Sequence, residues 1–238
     1  MVAVTGKEEG TPGTGGGTVT VTSQSTLYGW GSDYTGGIGL GAQLRLWTAD
    51  NFGEYLFIAP RNGPIYYWIP NGGYPSGSST RAQPLDVQAT AVGYDGTFVP
   101  NATYQIVSSA IQEFVIAFGA NPYSPNNAAT EFNPMLVRWS DQANPYQWIP
   151  ETTNQSGEYA LSNGSFIMGA RATRQEILVW TDSAIYSMQY LGAPYVWGFQ
   201  ILMDNISVMS PNSMITVNNI TYWMGKDRFY MYSGRVEV

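Results

Sequence analysis

The chain contains no cysteine and no histidine. Their absence excludes disulfides, the Ser-His-Asp and Cys-His nucleophilic systems, and ordinary zinc sites, which draw their ligands from those residues. Positive charge is scarce as well: 10 Lys and Arg stand against 17 Asp and Glu, for a net charge of −7. Lys7 and Lys226 are the only lysines and the arginines are scattered, so no basic stripe exists to neutralise a run of phosphates. An acidic wall repels DNA, which suits a conduit better than a grip. Charged residues of either sign make up 11% of the chain, where ordinary globular proteins carry roughly 25%. A surface so poor in charge is covered by Thr, Ser, Asn, Gln, Tyr and backbone, as in β-rich proteins and large assembled surfaces. No run of about 18 apolar residues is present, and no N-terminal segment has the charged-then-apolar form of a signal peptide. The expectation is a chain that enters no membrane by itself.

With 238 residues, 44% of them apolar, the chain is long enough to bury a sizeable core as one all-β domain. Residues 1–26 hold a Gly/Thr/Pro tract followed by TVTVT, and they read as a flexible arm. The alternating, β-branched Thr18–Thr22 would become a strand only beside a partner edge, such as that of a neighbouring subunit. Residues 27–238 read as the domain proper. Gly37, Gly39 and Gly41 imitate a dinucleotide fingerprint, but no helix follows and no strand–helix–strand unit surrounds them, so turns are the better reading. Asn-x-Ser/Thr triplets at Asn101, Asn154, Asn163, Asn205 and Asn219 are the chance product of a chain rich in these residues.

A theme then repeats. EYLFIAPRNGPIYYW (54–68) is an apolar strand, a turn at Pro60–Gly63 and an aromatic strand. EFVIAFG (113–119) repeats the first strand, and MLVRWSD (135–141) is its partner. Residues 176–190 repeat the hairpin around Thr181–Ala184, and residues 220–234 repeat it around Gly225–Asp227. Glu54, Glu113 and Glu176 open the first three copies, at steps of 59 and 63 residues. Shorter β-like pieces lie between, at Thr103–Ser109, Ser165–Ala170, Gly198–Leu202 and Met214–Val217. Four antiparallel strands per unit, repeated about four times, are the pattern of β-propeller blades with little helix. A hairpin apolar on both faces fits a blade, because each blade sheet lies between two neighbours. A two-sheet sandwich is the alternative, since sequence does not count closure.

Eight positions stand out as scaffold. Trp68, Trp139, Trp180 and Trp223 recur at comparable points and are expected to fill gaps between sheets, with Trp148 beside them. Asp182 is expected to cap a turn through backbone amides. Gly225 and Gly234 are expected where a turn needs an unusual backbone angle.

WSDQANPYQWIP (139–150), SGEYALSNGSFIMGA (156–170), ILVWTDSAIYSMQYLGAPYVWGF (177–199) and ITYWMGKDRFYMYSGRV (220–236) resemble a family of bacteriophage virion proteins. These are the tail tubular protein B, or tail-nozzle, proteins of short-tailed phages. LYGWG (27–31) and WTADNFGEYLFIAPRNGPIYYW (47–68) fit the same pattern, so the likeness covers residues 27–238. The resemblance implies a non-enzymatic β-propeller subunit of the virion tail, assembled as a homo-oligomeric ring, six-fold in nozzle relatives. The ring lies below the head-to-tail adaptor, and double-stranded DNA passes through it without specific binding during genome ejection. Family members are usually much longer, which leaves a fragment, a shortened relative, or a piece completed by a neighbour as alternatives.

Other chemistry is weaker in the residues. Ser140-Asp141 followed by Trp148 loosely imitates the aspartate-box turn of sialidase-like propellers, without its glycine. Such a site also needs arginines converging on a carboxylate, and Arg138, Arg171 and Arg174 are the candidates. No cofactor is expected. Asp182 and Asp227 offer oxygen ligands for a hard cation, although turn capping is the simpler role. The alternative function is a glycan- or receptor-binding module of a virion, since 8 Trp and 17 Tyr offer stacking surfaces.

Overall fold

Consecutive strands with apolar side chains on both faces call for cover from both sides, and the two middle sheets of this fold have it. A computed structural model describes residues 46–125 and 131–238. Within it, Trp47–Val238 forms one unit of four antiparallel sheets, each a meander of strands taken in chain order apart from one short excursion. Sheet I comprises β1 (Trp47–Phe52), β2 (Tyr55–Pro60), β3 (Tyr66–Trp68) and, after the small hairpin β4 (Gly73–Tyr74) and β5 (Gly77–Ser78), β6 (Gln83–Pro84). The helix α1 (Leu85–Ala91) follows. Sheet II is β7 (Thr103–Ser109), β8 (Phe114–Ala120), β9 (Asn133–Trp139) and β10 (Gly157–Ala160). Sheet III is β11 (Ile167–Ala172), β12 (Ile177–Thr181), β13 (Ala184–Gly192) and β14 (Val196–Asp204). Sheet IV is β15 (Met214–Val217), β16 (Ile220–Met224), β17 (Phe229–Tyr232) and β18 (Val236–Glu237).

The expected all-β, blade-like architecture is therefore present, and β7 and β15 have the bounds read from sequence. The expected arm over 1–26 and the glycines at 37–41 lie outside the described residues. One local feature differs from expectation. The helix α1 is an addition, one short segment whose Leu85 and Ala89 sit in the core and whose Gln88 bonds Ser76. Its seven residues are too few for a 3.6-residue period to show in sequence.

Three apolar cores separate the four sheets. Phe57, Ala59 and Tyr67 of sheet I meet Ile106, Val115 and Ala117 of sheet II. Phe114, Ile116, Phe118 and Val137 on the opposite face of sheet II meet Ile167, Val179, Tyr186 and Met188 of sheet III. Leu178, Trp180 and Ile185 on the far face of sheet III meet Met214, Trp223 and Tyr232 of sheet IV. Strand β8 thus divides its side chains between two cores, and β12 does the same. Gly119 marks the end of that division in β8: its φ is +61°, a ladder irregularity falls there, and a Cβ would lie 2.4 Å from the Tyr104 ring.

The cores hold several tyrosine hydroxyls, which makes alkali a probe of the fold. Burial, and then the neighbouring Glu176 carboxylate, pushes Tyr232 up to about 12. Burial first, then Tyr146, raises Tyr67; burial raises Tyr104. Each of these groups holds its proton more tightly folded than unfolded, where a phenol titrates near about 10. Their contribution is complete below about pH 10 and is lost as pH climbs through the folded values. Buried Arg138, lowered to about 10, acts in the opposite direction over the same range, and so do Arg61 and Arg171, which burial also lowers. Melting temperature is expected to be flat from neutral pH to about pH 9 and to fall above about pH 10.5, with tyrosinate absorbance appearing in the same transition; a rise there would show that the arginines outweigh the tyrosines.

Candidate functional site

The opening strands of successive sheets, β1, β7, β11 and β15, run beside one another in that order. Side chains tie each to the next. Thr48 Oγ1 accepts from the Ile106 amide at 3.3 Å, and Asp50 Oδ2 accepts from the Ser108 amide at 2.8 Å. Gln105 bonds Ala170 twice, donating to its carbonyl and accepting from its amide, both at 2.8 Å. That amide side chain stands in for a strand's backbone between sheets II and III. Arg171 Nε donates to the Met214 carbonyl at 3.3 Å, joining sheets III and IV. Arg61 spans further, donating to the carbonyls of Ile167 and Met168 with its guanidinium 4.1 Å over the Tyr104 ring. Burial lowers its pKa.

These strands and the segment before β15 enclose a cavity of about 350 Å3 lined by Thr48, Asp50, Gln105, Arg171 and Asn212 among others. Burial lowers the Arg171 pKa and the Asp50 charge raises it. Asp50 spends its oxygens on the amides of Asn51 and Ser108, and Gln105 is committed to Ala170. The polar groups here hold sheets together. This is a joint.

The eight scaffold positions divide. Trp180 and Trp223 are buried and meet edge to face at 5.4 Å between sheets III and IV. Trp139 is buried between sheets II and III, and Trp148 between I and II. Trp68 departs from expectation: it is 37% exposed on the outward face of sheet I, and it fills no gap between described sheets. Asp182 Oδ1 accepts from the Ser165 amide at 2.7 Å, a turn-closing bond. Gly234 has φ +103°, as a turn glycine should. Gly225 is needed for a different reason from the one expected. Its φ is not positive, but a Cβ would lie 2.6 Å from the Tyr230 ring and 3.1 Å from the Ser207 carbonyl.

The three arginines weighed for a carboxylate site do not converge. Arg138 is 1% exposed and donates to the carbonyls of Phe98, Asn121 and Trp148, with Glu158 at 3.5 Å. Arg171 lies at the joint just described, and the Arg174 amide bonds Asn219 at 3.1 Å. Asp141 accepts from the Gln155 amide, and Trp148 donates to the Pro145 carbonyl, so the box-like stretch is a closed turn. Asp227 pairs with Arg228 at 2.8 Å, and the pair is exposed. No cluster of acidic side chains suited to a metal occurs among the described residues.

Two surfaces remain. The first is an open cleft of about 710 Å3 between the outer strands of sheets II and III, lined by Tyr159, Trp197, Phe199 and the exposed Tyr195. The Tyr159 and Phe199 rings stack at 4.5 Å and 7°. Ser156 and Glu158 border it, but Ser156 Oγ donates to Ile149 and Glu158 Oε2 receives the Tyr123 amide and faces Arg138.

The second is the outward face of sheet IV. In β15 and β16 alternate residues Met214, Thr221 and Trp223 are buried toward sheet III. The intervening ones, Ile215 (60% exposed), Val217, Tyr222 and Met224, face away. Register places Ile215 opposite Tyr222 and Met224 opposite Phe229, which is 73% exposed. One sheet face therefore carries a continuous set of large apolar side chains in contact with solvent. Soluble chains rarely expose such a patch unless it is an interaction surface. The sequence held the signal, an apolar run in both phases of a period-2 strand, but not which phase was left open.

No protein-family model matches the chain, and no curated protein does. Among solved structures it is similar to the computationally designed Ika4 protein, at 12% identity over 78% of this chain and 88% of that one, with a TM-score of 0.41. It is also similar to Hsv2 of Kluyvelomyces marxianus, at 8% identity over 79% of this chain and 44% of that one, with a TM-score of 0.42. Neither likeness bears on what this chain binds.

Proposed function

We propose that the chain is a non-enzymatic structural subunit of a bacteriophage tail, of the nozzle or tube type, contributing to the wall of the channel through which the genome is ejected. The observation that carries this reading is the bare apolar face of sheet IV, which belongs to a chain that works in an assembly. The commitment of polar groups at the joint to structural bonds agrees with it, as does the resemblance across residues 27–238. The net charge of −7 suits a wall that DNA slides past. The test is electron microscopy of the purified protein with two-dimensional class averages. Closed rings with a channel wide enough for duplex DNA are the expected result, and single particles at all concentrations would count against the reading. The cleft at Tyr159 and Phe199 favours a second reading, a glycan-binding module. Its bordering Ser156 and Glu158 are already bonded, which leaves few groups to read sugar hydroxyls and places it second.

A further inference from the structure

Two groups at the joint of the opening strands are not spent on holding sheets together. Arg171 reaches the Met214 carbonyl through Nε alone, and its two terminal nitrogens donate to nothing among the described residues. The Asn212 side-chain amide, on the segment before β15, has no partner among the described residues either. Both border the cavity of about 350 Å3, a size within the range of small-molecule sites. Trp47 and Pro211 border the same space and give it an apolar side.

The cavity also holds the opposite charge. Asp50 enters it from β1 and Arg171 from β11, with β7 running between the two strands. Each Asp50 oxygen accepts one amide, from Asn51 at 2.9 Å and Ser108 at 2.8 Å. A carboxylate has about four acceptor sites, so part of its capacity is left over. Burial lowers the Arg171 pKa and the Asp50 charge raises it, so the two feel each other, yet no ion pair joins them. A lone anion would be drawn by Arg171 and repelled by Asp50, and a lone cation the reverse. A small ligand carrying both charges satisfies both groups at once.

We propose that this cavity binds a free α-amino acid, its carboxylate on Arg171 and Asn212 and its ammonium on Asp50. The planar guanidinium suits a carboxylate, which it meets with two parallel donors. The site does not depend on the tail-subunit reading, and each stands without the other.

The test is thermal shift and titration calorimetry of the full-length chain with glycine, alanine, leucine and phenylalanine. At about 10 mM, a ligand with a Kd of about 1 mM raises the melting temperature by about 3 °C in a unit of this size. At least one of the four is expected to do so and to release or absorb heat on titration. Analogues lacking one pole, such as isocaproate and isoamylamine in place of leucine, are expected to bind about 10-fold more weakly or worse. A carboxylate analogue that binds as tightly as the amino acid would make this an anion site only and overturn the proposal. No response to any of the four would overturn it as well. Two variants locate the site. Asp50→Asn keeps the shape and is expected to abolish the preference for the amino acid over its carboxylate analogue, a ratio that a merely structural role would not move. Asn212 is exposed, so Asn212→Asp is expected to leave the ligand-free melting temperature unchanged while weakening binding about 10-fold. Binding unchanged in both variants would place the ligand elsewhere and overturn the assignment.

Discussion

Trp180→Ala is expected to destabilise the fold by about 3–5 kcal/mol, enough to lower the melting temperature by roughly 10 °C in a unit of this size. Trp180 is fully buried on β12, and its ring meets Trp223 edge to face between sheets III and IV. Truncation empties the centre of the smallest of the three cores, which rests on few other side chains. Trp180→Phe separates bulk from hydrogen bonding. The Trp180 Nε1 is buried with no partner among the described residues, so phenylalanine removes a polar atom that nothing satisfies while keeping most of the apolar volume. The phenylalanine variant should retain most of the stability that alanine loses, as read from denaturant midpoints at constant slope. Equal losses in the two variants would mean that the indole N–H is needed after all.

The second large effect is expected at Arg138. Its guanidinium is almost wholly enclosed, and it satisfies carbonyls from three separated segments, at Phe98, Asn121 and Trp148. Burial pulls its pKa down to about 10, with Glu158 and then Tyr123 opposing. The charge remains protonated at neutral pH because the carbonyls and Glu158 take the place of water. Replacing it with leucine withdraws that donor from the Phe98 and Trp148 carbonyls and leaves Glu158 without its cation, a loss of about 3–5 kcal/mol. Arg138→Lys should not rescue the fold, since an ammonium point charge lacks the planar fork that reaches several acceptors at once. Equilibrium unfolding of both variants decides the matter. A lysine variant as stable as the parent would show that charge alone is required there.

The two residues also mark what could be read in the sequence. Trp180 was legible because bulk on both sides of a short turn signals a sheet covered on both faces, and the hairpin recurs along the chain. Arg138 was not, because its partners lie 10, 17 and 40 residues away in sequence and no local pattern announces them. Gln105 escaped for the same reason: a glutamine inside a strand reads as an edge or solvent position until the neighbouring sheet supplies Ala170. Trp68 shows the opposite failure. Its place in the hairpin matches that of buried tryptophans, but only the arrangement of sheets decides which face it stands on. Gly225 was expected for its backbone angle, and the structure instead sets the Tyr230 ring 2.6 Å from where its Cβ would lie. The exposed apolar face at Ile215, Tyr222 and Phe229 was half visible. Its side chains look like core, and it took the fold to leave them outside.

Strand β8 carries one further lesson. All of its residues from Phe114 to Ala120 are buried, so no boundary between greasy and wet side chains tells the strand which way to face. Size supplies that instruction. Phe114, Ile116 and Phe118 enter one core while Val115 and Ala117 enter the other. A shift by a single residue would press phenyl rings into a space shaped for a methyl group and leave a methyl where a ring belonged. Both the crowding and the void resist the slip. In the middle of this protein, alignment is written in the alternation of bulk.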